Sequence, residues 1–113
     1  MAVSGYLTLR EKKRSQTLIV EIASALDETS VQELRAAFTA ILQRARRIVA
    51  VDMSRVSHVD SEGFGALLYL QKRLVENGRM LALVGCQDSV REALQLTRLE
   101  ALLPHYASMD LLP

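Results

Sequence analysis

Ile48-Val49-Ala50-Val51-Asp52-Met53 and, after a polar connection from Ser54 to Val59, Asp60-Ser61-Glu62-Gly63-Phe64-Gly65 carry the reading of this chain. The β-branched and apolar run predicts a buried strand that ends at Asp52-Met53. A helix pattern begins at about Ser61. Gly63, Leu67, Leu70 and Leu74 form one line along it, and Phe64, Leu68 and Val75 form the line beside it. Together they predict a broad inward face, with Glu62, Tyr69, Arg73 and Glu76 pointing out. Asn77-Gly78 then stops the helix, since both residues tolerate a left-handed C-terminal cap. Strand, loop and helix start place Ser61 where free backbone N–H groups point outward and the helix dipole is positive. A serine there either caps the helix or is a place built to carry a phosphate.

Upstream, Tyr6, Leu7 and Leu9 predict a first strand, Glu11 to Gln16 a polar turn, and Thr17 to Ala23 a second strand, the two forming an antiparallel hairpin. Ser24 to Ser30 is a loop rich in capping residues. Ser30 and Glu33 have capping-box spacing. Val31, Leu34, Phe38, Ile41, Leu42 and Ala45 follow at helical spacing and predict one continuous helix ending near Ala45, where Arg46-Arg47 suits the negative end of its dipole. Downstream, Met80 to Val84 reads as another buried strand and Gly85 to Asp88 as a turn. A third helix follows, with Val90, Ala93, Leu94 and Leu96 inward. Leu102 to Ala107 reads as a last short strand, which Pro104 limits to an edge. Alternating strands and helices imply parallel strands joined by right-handed crossovers, hence an α/β fold: a mixed sheet with an N-terminal hairpin and helices packed on it. Binding sites in such sheets lie at the carboxyl ends of the parallel strands. Ser61 falls there, as do Asp27 and the Gly85-to-Ser89 turn if the strand order allows it.

The totals exclude several classes. The chain has 113 residues, half of them apolar, which suits one domain with a real core. A formal charge of +1 argues against nucleic acid or an anionic membrane as the main partner. The basic run Arg10 to Arg14 reads as a solvated turn between two strands. One cysteine, Cys86, forms no internal disulfide and fits a reducing compartment. No apolar run approaches the ~20 residues of a membrane span, and no leader pattern is present. A soluble, cytoplasmic protein is expected.

Among candidate chemistries, Ser61 as an enzymatic nucleophile fails the elbow pattern, because Val59 stands where a small residue is needed. Asp27, Asp52, Asp60 and Glu62 offer carboxylates for Mg²⁺. The plainer reading has Asp60 capping the helix and Glu62 in its favourable first turn. His58 and His105 lack ligand spacing and read as partly exposed loop residues. Cys86 reads as a small apolar residue at a strand end. Gly63 and Gly65 lack the rest of a phosphate loop and read as allowing the helix start to pack closely on the sheet. No metal, cofactor or enzymatic activity is expected. Phosphate as cargo on Ser61 adds about −1.5 to −2 charge, and the positive helix end tolerates it. Spacing alone leaves cap and phosphosite both open.

The segment Val49 to Leu68 resembles the signature of the STAS domain, specifically that of bacterial anti-sigma-factor antagonists. That signature is a strand ending in Asp-Leu-Ser, a short loop, then Asp-Ser-Ser-Gly-Leu-Gly and a Leu-rich helix. The likeness extends to Ala25-Leu26-Asp27 upstream and Asn77-Gly78 downstream, covering roughly Leu18 to Leu103. It implies that Ser61 is phosphorylated by a GHKL-type serine kinase that doubles as an anti-sigma factor. The unphosphorylated form then binds that kinase and frees a sigma factor, and a PP2C-type phosphatase resets the cycle. It further implies that Asp27, Asp60, Glu62, Gly63 and Phe64 serve the partner surface. The alternative within the family is a constitutive STAS subunit of a lipid-transport ABC complex. Glu62 departs from the family's small residue, Phe64 from its Leu, Ser24 from its Gly, and Thr97-Arg98-Leu99 from Ser-Gly-Leu.

Overall fold

The computed structural model describes residues 1–113. Six strands, β1 (Ala2–Ser4), β2 (Leu7–Lys12), β3 (Thr17–Ile22), β4 (Ile48–Asp52), β5 (Met80–Val84) and β6 (His105–Tyr106), form one sheet in chain order. β1, β2 and β3 pair antiparallel, and β3 through β6 are parallel. The expected mixed sheet is thus present, with the hairpin β2–β3 at its antiparallel side. β6 is a short strand at one edge, as Pro104 requires. β1 is an addition: Ala-Val-Ser carries no periodicity. It is held by the Leu9 N–H donating to the Met1 carbonyl at 2.8 Å and the Met1 ammonium donating to the Leu9 carbonyl at 2.6 Å.

The predicted turn at Glu11 starts too early. β2 runs through Lys12, pairing Glu11 with Leu18 and Lys12 with Thr17. The reversal is confined to a short 3₁₀ turn at Lys13–Ser15 and Gln16, whose φ of 53° is left-handed. The polar residues of β2 are its exposed far end, and Arg10 pairs across the hairpin with Glu21 at 3.3 Å.

The single helix expected after Ser30 is two, α1 (Val31–Ala36) and α2 (Phe38–Arg44). The ladder tightens at Ala37, whose N–H reaches both Glu33 and Leu34 carbonyls. The capping box does not form. The Ser30 hydroxyl turns back, donating to the Ala25 carbonyl at 2.6 Å and accepting the Asp27 N–H at 3.0 Å. An Asx turn replaces the cap, with Asp27 Oδ1 accepting the N–H groups of Thr29 and Ser30. The inward residues Val31, Leu34 and Ile41 are buried as periodicity requires.

α3 (Ser61–Glu76) begins where expected and ends in a Schellman motif: Arg79 N–H to Leu74 carbonyl, Gly78 N–H to Val75 carbonyl, and Gly78 at φ 71°. Gly63, Phe64, Leu67, Leu70 and Leu74 are buried, but Val75 is 58% exposed. Val75 lies at the end of the helix, beyond the sheet's cover. In α4 (Asp88–Leu96), Val90 and Leu94 are buried, whereas Leu96 is 78% exposed, on the wrong side of the last turn to reach the core. α3 packs on β5 and against α1 and α2. The core unites Leu18, Val20, Val49, Val51, Leu81 and Leu83 of the sheet with these helix faces.

Candidate functional site

Because β3, β4 and β5 run in the same direction, their carboxyl-end loops gather at one end of the sheet. The β4–α3 loop lies in the middle and is tied to both neighbours. On one side, Leu26 N–H donates to the His58 carbonyl at 2.8 Å, and Asp60 N–H donates to the Leu26 carbonyl at 3.1 Å. These two bonds add a one-residue parallel bridge between Leu26 and Val59. On the other side, Gln87 Nε2 donates to the Ser54 carbonyl at 3.1 Å and Ser89 Oγ to the Ser57 carbonyl at 3.0 Å. At the loop entrance Asp52 Oδ1 accepts both the N–H and the hydroxyl of Ser54, at 3.0 and 2.7 Å. A loop with this many cross-ties presents its side chains from a fixed backbone.

The start of α3 divides its work among three residues. Asp60 is the cap: its Oδ1 accepts the Gly63 N–H at 2.9 Å, and its Oδ2 accepts the Glu28 N–H at 3.0 Å. One carboxylate therefore closes the helix end and clamps it to the β3–α1 loop. Gly63 makes the close approach possible, since a Cβ there would lie 2.5 Å from the Leu26 carbonyl oxygen and 2.9 Å from Val59 Cγ1. Gly65 does not share this role; the space around it is open and it is exposed. Phe64 is 7% exposed and belongs to the core.

Ser61 is left over. It occupies the first helical position, is exposed, and its hydroxyl makes no hydrogen bond within the chain. The capping role open to it from spacing is taken by Asp60. Glu62, also exposed, pairs with Arg35 of α1 at 3.5 Å, with both side chains largely in solvent. Such a pair contributes little to stability, but it sets an arginine against the carboxylate that follows Ser61. Arg35 had no signal in the sequence, because only the packing of α1 on α3 brings it there.

Of the predicted surface residues, Asp27, Asp60 and Glu62 are at least partly accessible and Gly63 and Phe64 are not. The two buried ones shape the surface from beneath. The Asp27 carboxyl is held below its ordinary value, chiefly by the Ser30 N–H it accepts, with further help from Thr29 and the Ser30 hydroxyl. The carboxylates considered for Mg²⁺ do not converge: Asp27, Asp52 and Asp60 face N–H groups, Glu62 faces Arg35, and no three potential ligands gather. Ser61 has no histidine hydrogen-bonded to it, and His105 Nε2 instead accepts the Cys86 N–H at 3.1 Å. Cys86 is buried and its thiol is pushed up to about 11, first by that burial.

Residues 8–111 match the family model of the STAS domain. The chain belongs to the STAS family. A Staphylococcus aureus protein described as an anti-sigma-B factor antagonist is 30% identical over 84 residues, which cover 74% of this chain and 78% of that one. Among solved structures, the fold is similar to that of an anti-sigma-factor antagonist (STAS) domain protein from Planctomyces limnophilus. That protein is 24% identical, with 92% of each chain covered and a TM-score of 0.79. It also resembles the Bacillus cell fate determinant SpoIIAA in its phosphorylated form, 23% identical, with 92% and 94% covered and a TM-score of 0.66. Relatives of this STAS domain thus include anti-sigma factor antagonists. No helix in it is long and apolar enough to cross a membrane.

Proposed function

We propose that this STAS domain is a phosphorylatable anti-sigma-factor antagonist in a partner-switching pathway, with Ser61 as acceptor and no catalytic activity of its own. The observation that carries the proposal is the uncommitted, exposed hydroxyl of Ser61 on a helix start that Asp60 already caps. A serine that does no structural work at a rigid, accessible helix end is available to another protein's active site. That the Bacillus relative is known in a phosphorylated form adds support.

In this reading the unphosphorylated domain offers a partner the exposed end of α3, with Ser61 and Glu62 at its centre and Asp27 and Asp60 behind them. Gly63 and Phe64 fix its height. The partner is a GHKL-type serine kinase that is itself the anti-sigma factor, and a PP2C-type phosphatase reverses the modification. Phosphate on Ser61 adds about −1.5 to −2 charge next to Glu62. The helix dipole tolerates that charge, while a partner surface matched to a neutral hydroxyl does not.

The test is phosphotransfer from a GHKL-type kinase encoded beside this protein, with ATP and mapping by mass spectrometry. One phosphate on Ser61, lost in Ser61→Ala and retained in Ser54→Ala and Ser57→Ala, is expected. Ser61→Asp should weaken the kinase complex at least about tenfold, the effect of a charge mismatch of a few kcal/mol at most, with an unchanged Tm. Label on Ser54 or Ser57, or a large fall in Tm in Ser61→Asp, overturns the assignment.

A further inference from the structure

The basic run near the hairpin turn is not explained by the Ser61 end. It lies at the opposite pole, where the parallel strands begin. There the fold adds cations that the sequence keeps far apart. A cleft of about 300 Å³ is lined by Glu11, Lys12, Lys13, Gln16, Arg44 and Arg46, with Thr17 and Leu18 as its floor. A neighbouring depression shares Glu11, Gln16, Arg44 and Arg46 and adds Arg79. Three separate connections, β2–β3, α2–β4 and α3–β5, thus deliver positive charge to one place.

The charge there is not internally balanced. Glu11, the one carboxylate of the cleft, is paired with Arg44 at 3.1 Å. Arg79 donates to the Leu42 carbonyl at 3.0 Å, which fixes its position without neutralising it. The side chains of Lys12, Lys13 and Arg46 have no hydrogen bond or ion pair within the chain. Since the whole chain carries only +1, this pole concentrates positive charge that the remainder offsets. Keeping like charges together is unfavourable unless an anion joins them. The backbone of the cleft is also fixed: Gln16 is left-handed, and its carbonyl accepts the N–H groups of both Arg47 and Ile48, at 3.2 and 3.3 Å.

We infer that this cleft binds a compact oligophosphate anion. Its volume suits a small ligand, its free cations suit several phosphate groups in a row, and the exposed ends of the lysines allow each to meet one. Leu18 is the only apolar residue lining it and no aromatic ring does so. Nothing there stacks a base, so the cleft reads the phosphate chain alone. The five residues of β4 separate it from the Ser61 loop, about 17 Å at the usual rise per residue. Anion binding at this pole is therefore independent of whether Ser61 is phosphorylated.

The test is isothermal titration of the unmodified chain at fixed ionic strength with tripolyphosphate, ATP without metal, sulfate, and vesicles containing phosphatidylglycerol. Tripolyphosphate and ATP are expected to bind equally, and sulfate and vesicles at least about tenfold more weakly. Lys13→Ala with Arg46→Gln, both exposed and without partners in the fold, should weaken tripolyphosphate roughly tenfold. Arg91→Gln, at the other pole, should leave it unchanged. Sulfate binding as tightly as tripolyphosphate, ATP preferred by more than tenfold, binding to vesicles alone, or equal losses in the Arg91 variant would each overturn the inference.

Discussion

Replacing Gly63 by Ala tests how the Ser61 platform is built. The new methyl carbon would stand 2.5 Å from the Leu26 carbonyl oxygen, 2.9 Å from Val59 Cγ1 and 3.1 Å from Leu26 Cγ. The first contact is with backbone, which cannot swing aside as a side chain would. That same carbonyl accepts the Asp60 N–H at 3.1 Å, so relieving the clash separates the helix start from the β3–α1 loop and strains this bond. Overpacking of this kind costs about 1–3 kcal/mol, and a weakened buried hydrogen bond adds about 1 kcal/mol. Ala gains about 1 kcal/mol over Gly in a helix. The net loss is about 2 kcal/mol, or roughly 8 °C in Tm for a domain of this size. Gly65→Ala is the internal control: nothing lies within 4 Å of its Cβ, so only the helix-propensity gain of up to about 1 kcal/mol remains. Urea denaturation followed by circular dichroism measures both. Equal effects of the two substitutions would refute the close-approach argument, because propensity alone predicts the same sign for each.

Asp60→Asn keeps an oxygen for the Gly63 N–H but sets an amide against the Glu28 N–H, and should cost about 1 kcal/mol; Asp60→Ala loses both and should cost up to about 2 kcal/mol, read by the same denaturation curves. Asp27 carries a lowered pKa, so its ionised form is the one the fold favours. Its stabilising contribution is complete above the ordinary value of 3.8 and disappears as pH falls through the lowered one. The stability gap between the native chain and Asp27→Asn, followed by acid titration, should therefore be constant above 3.8 and narrow below it. Cys86, with its thiol at about 11 against an ordinary 9.0, should react with a disulfide reagent at pH 8 roughly a hundredfold more slowly than an exposed thiol; in denaturant the rate should become normal. Arg98 adopts φ 58° at the end of α4, so Arg98→Gly should raise stability by up to about 1 kcal/mol, measurable as a higher urea midpoint.

The parts legible in the sequence were those in which local pattern and tertiary demand agree. β4 and β5 are apolar runs, α3 has helical periodicity and an Asn-Gly stop, and, Val75 apart, the fold uses each as written. Around Ser30 the two disagree. The Ser30–Glu33 spacing is that of a capping box, yet the same hydroxyl serves an Asx turn that delivers Leu26 to Val59. A two-residue local advantage gave way to a contact between distant segments. Val75 and Leu96 show the limit of periodicity at helix ends, where the correct phase no longer ensures that anything lies opposite. The STAS signature located Ser61 and Asp60. It also set Gly63 and Phe64 on the partner surface, although helical periodicity places both inward, where the fold buries them; a motif read in one dimension does not separate the residues that meet a partner from those that hold them in place. Arg35 beside Glu62, and Arg46 beside Lys13, were legible only after folding.

Under the proposed switching cycle, the division of labour at the helix start explains how a modification can act without refolding the domain. If Ser61 were the cap, adding phosphate would remove a hydrogen bond that the helix needs, and stability and signalling would be coupled. Because Asp60 caps α3 and Gly63 seats it, the Ser61 hydroxyl can change its charge while the backbone beneath it remains tied to Leu26, Glu28 and Gln87. Within the domain the phosphate then meets attraction from the helix end, about 0.3–1 kcal/mol, and a repulsion from Glu62 of opposite sign that the paired Arg35 partly offsets. A partner that buries the same position meets an unmatched charge whose cost is about 2–5 kcal/mol. Most of the free-energy change therefore falls on the interface, so occupancy of the partner changes by orders of magnitude while the population of the folded domain hardly moves.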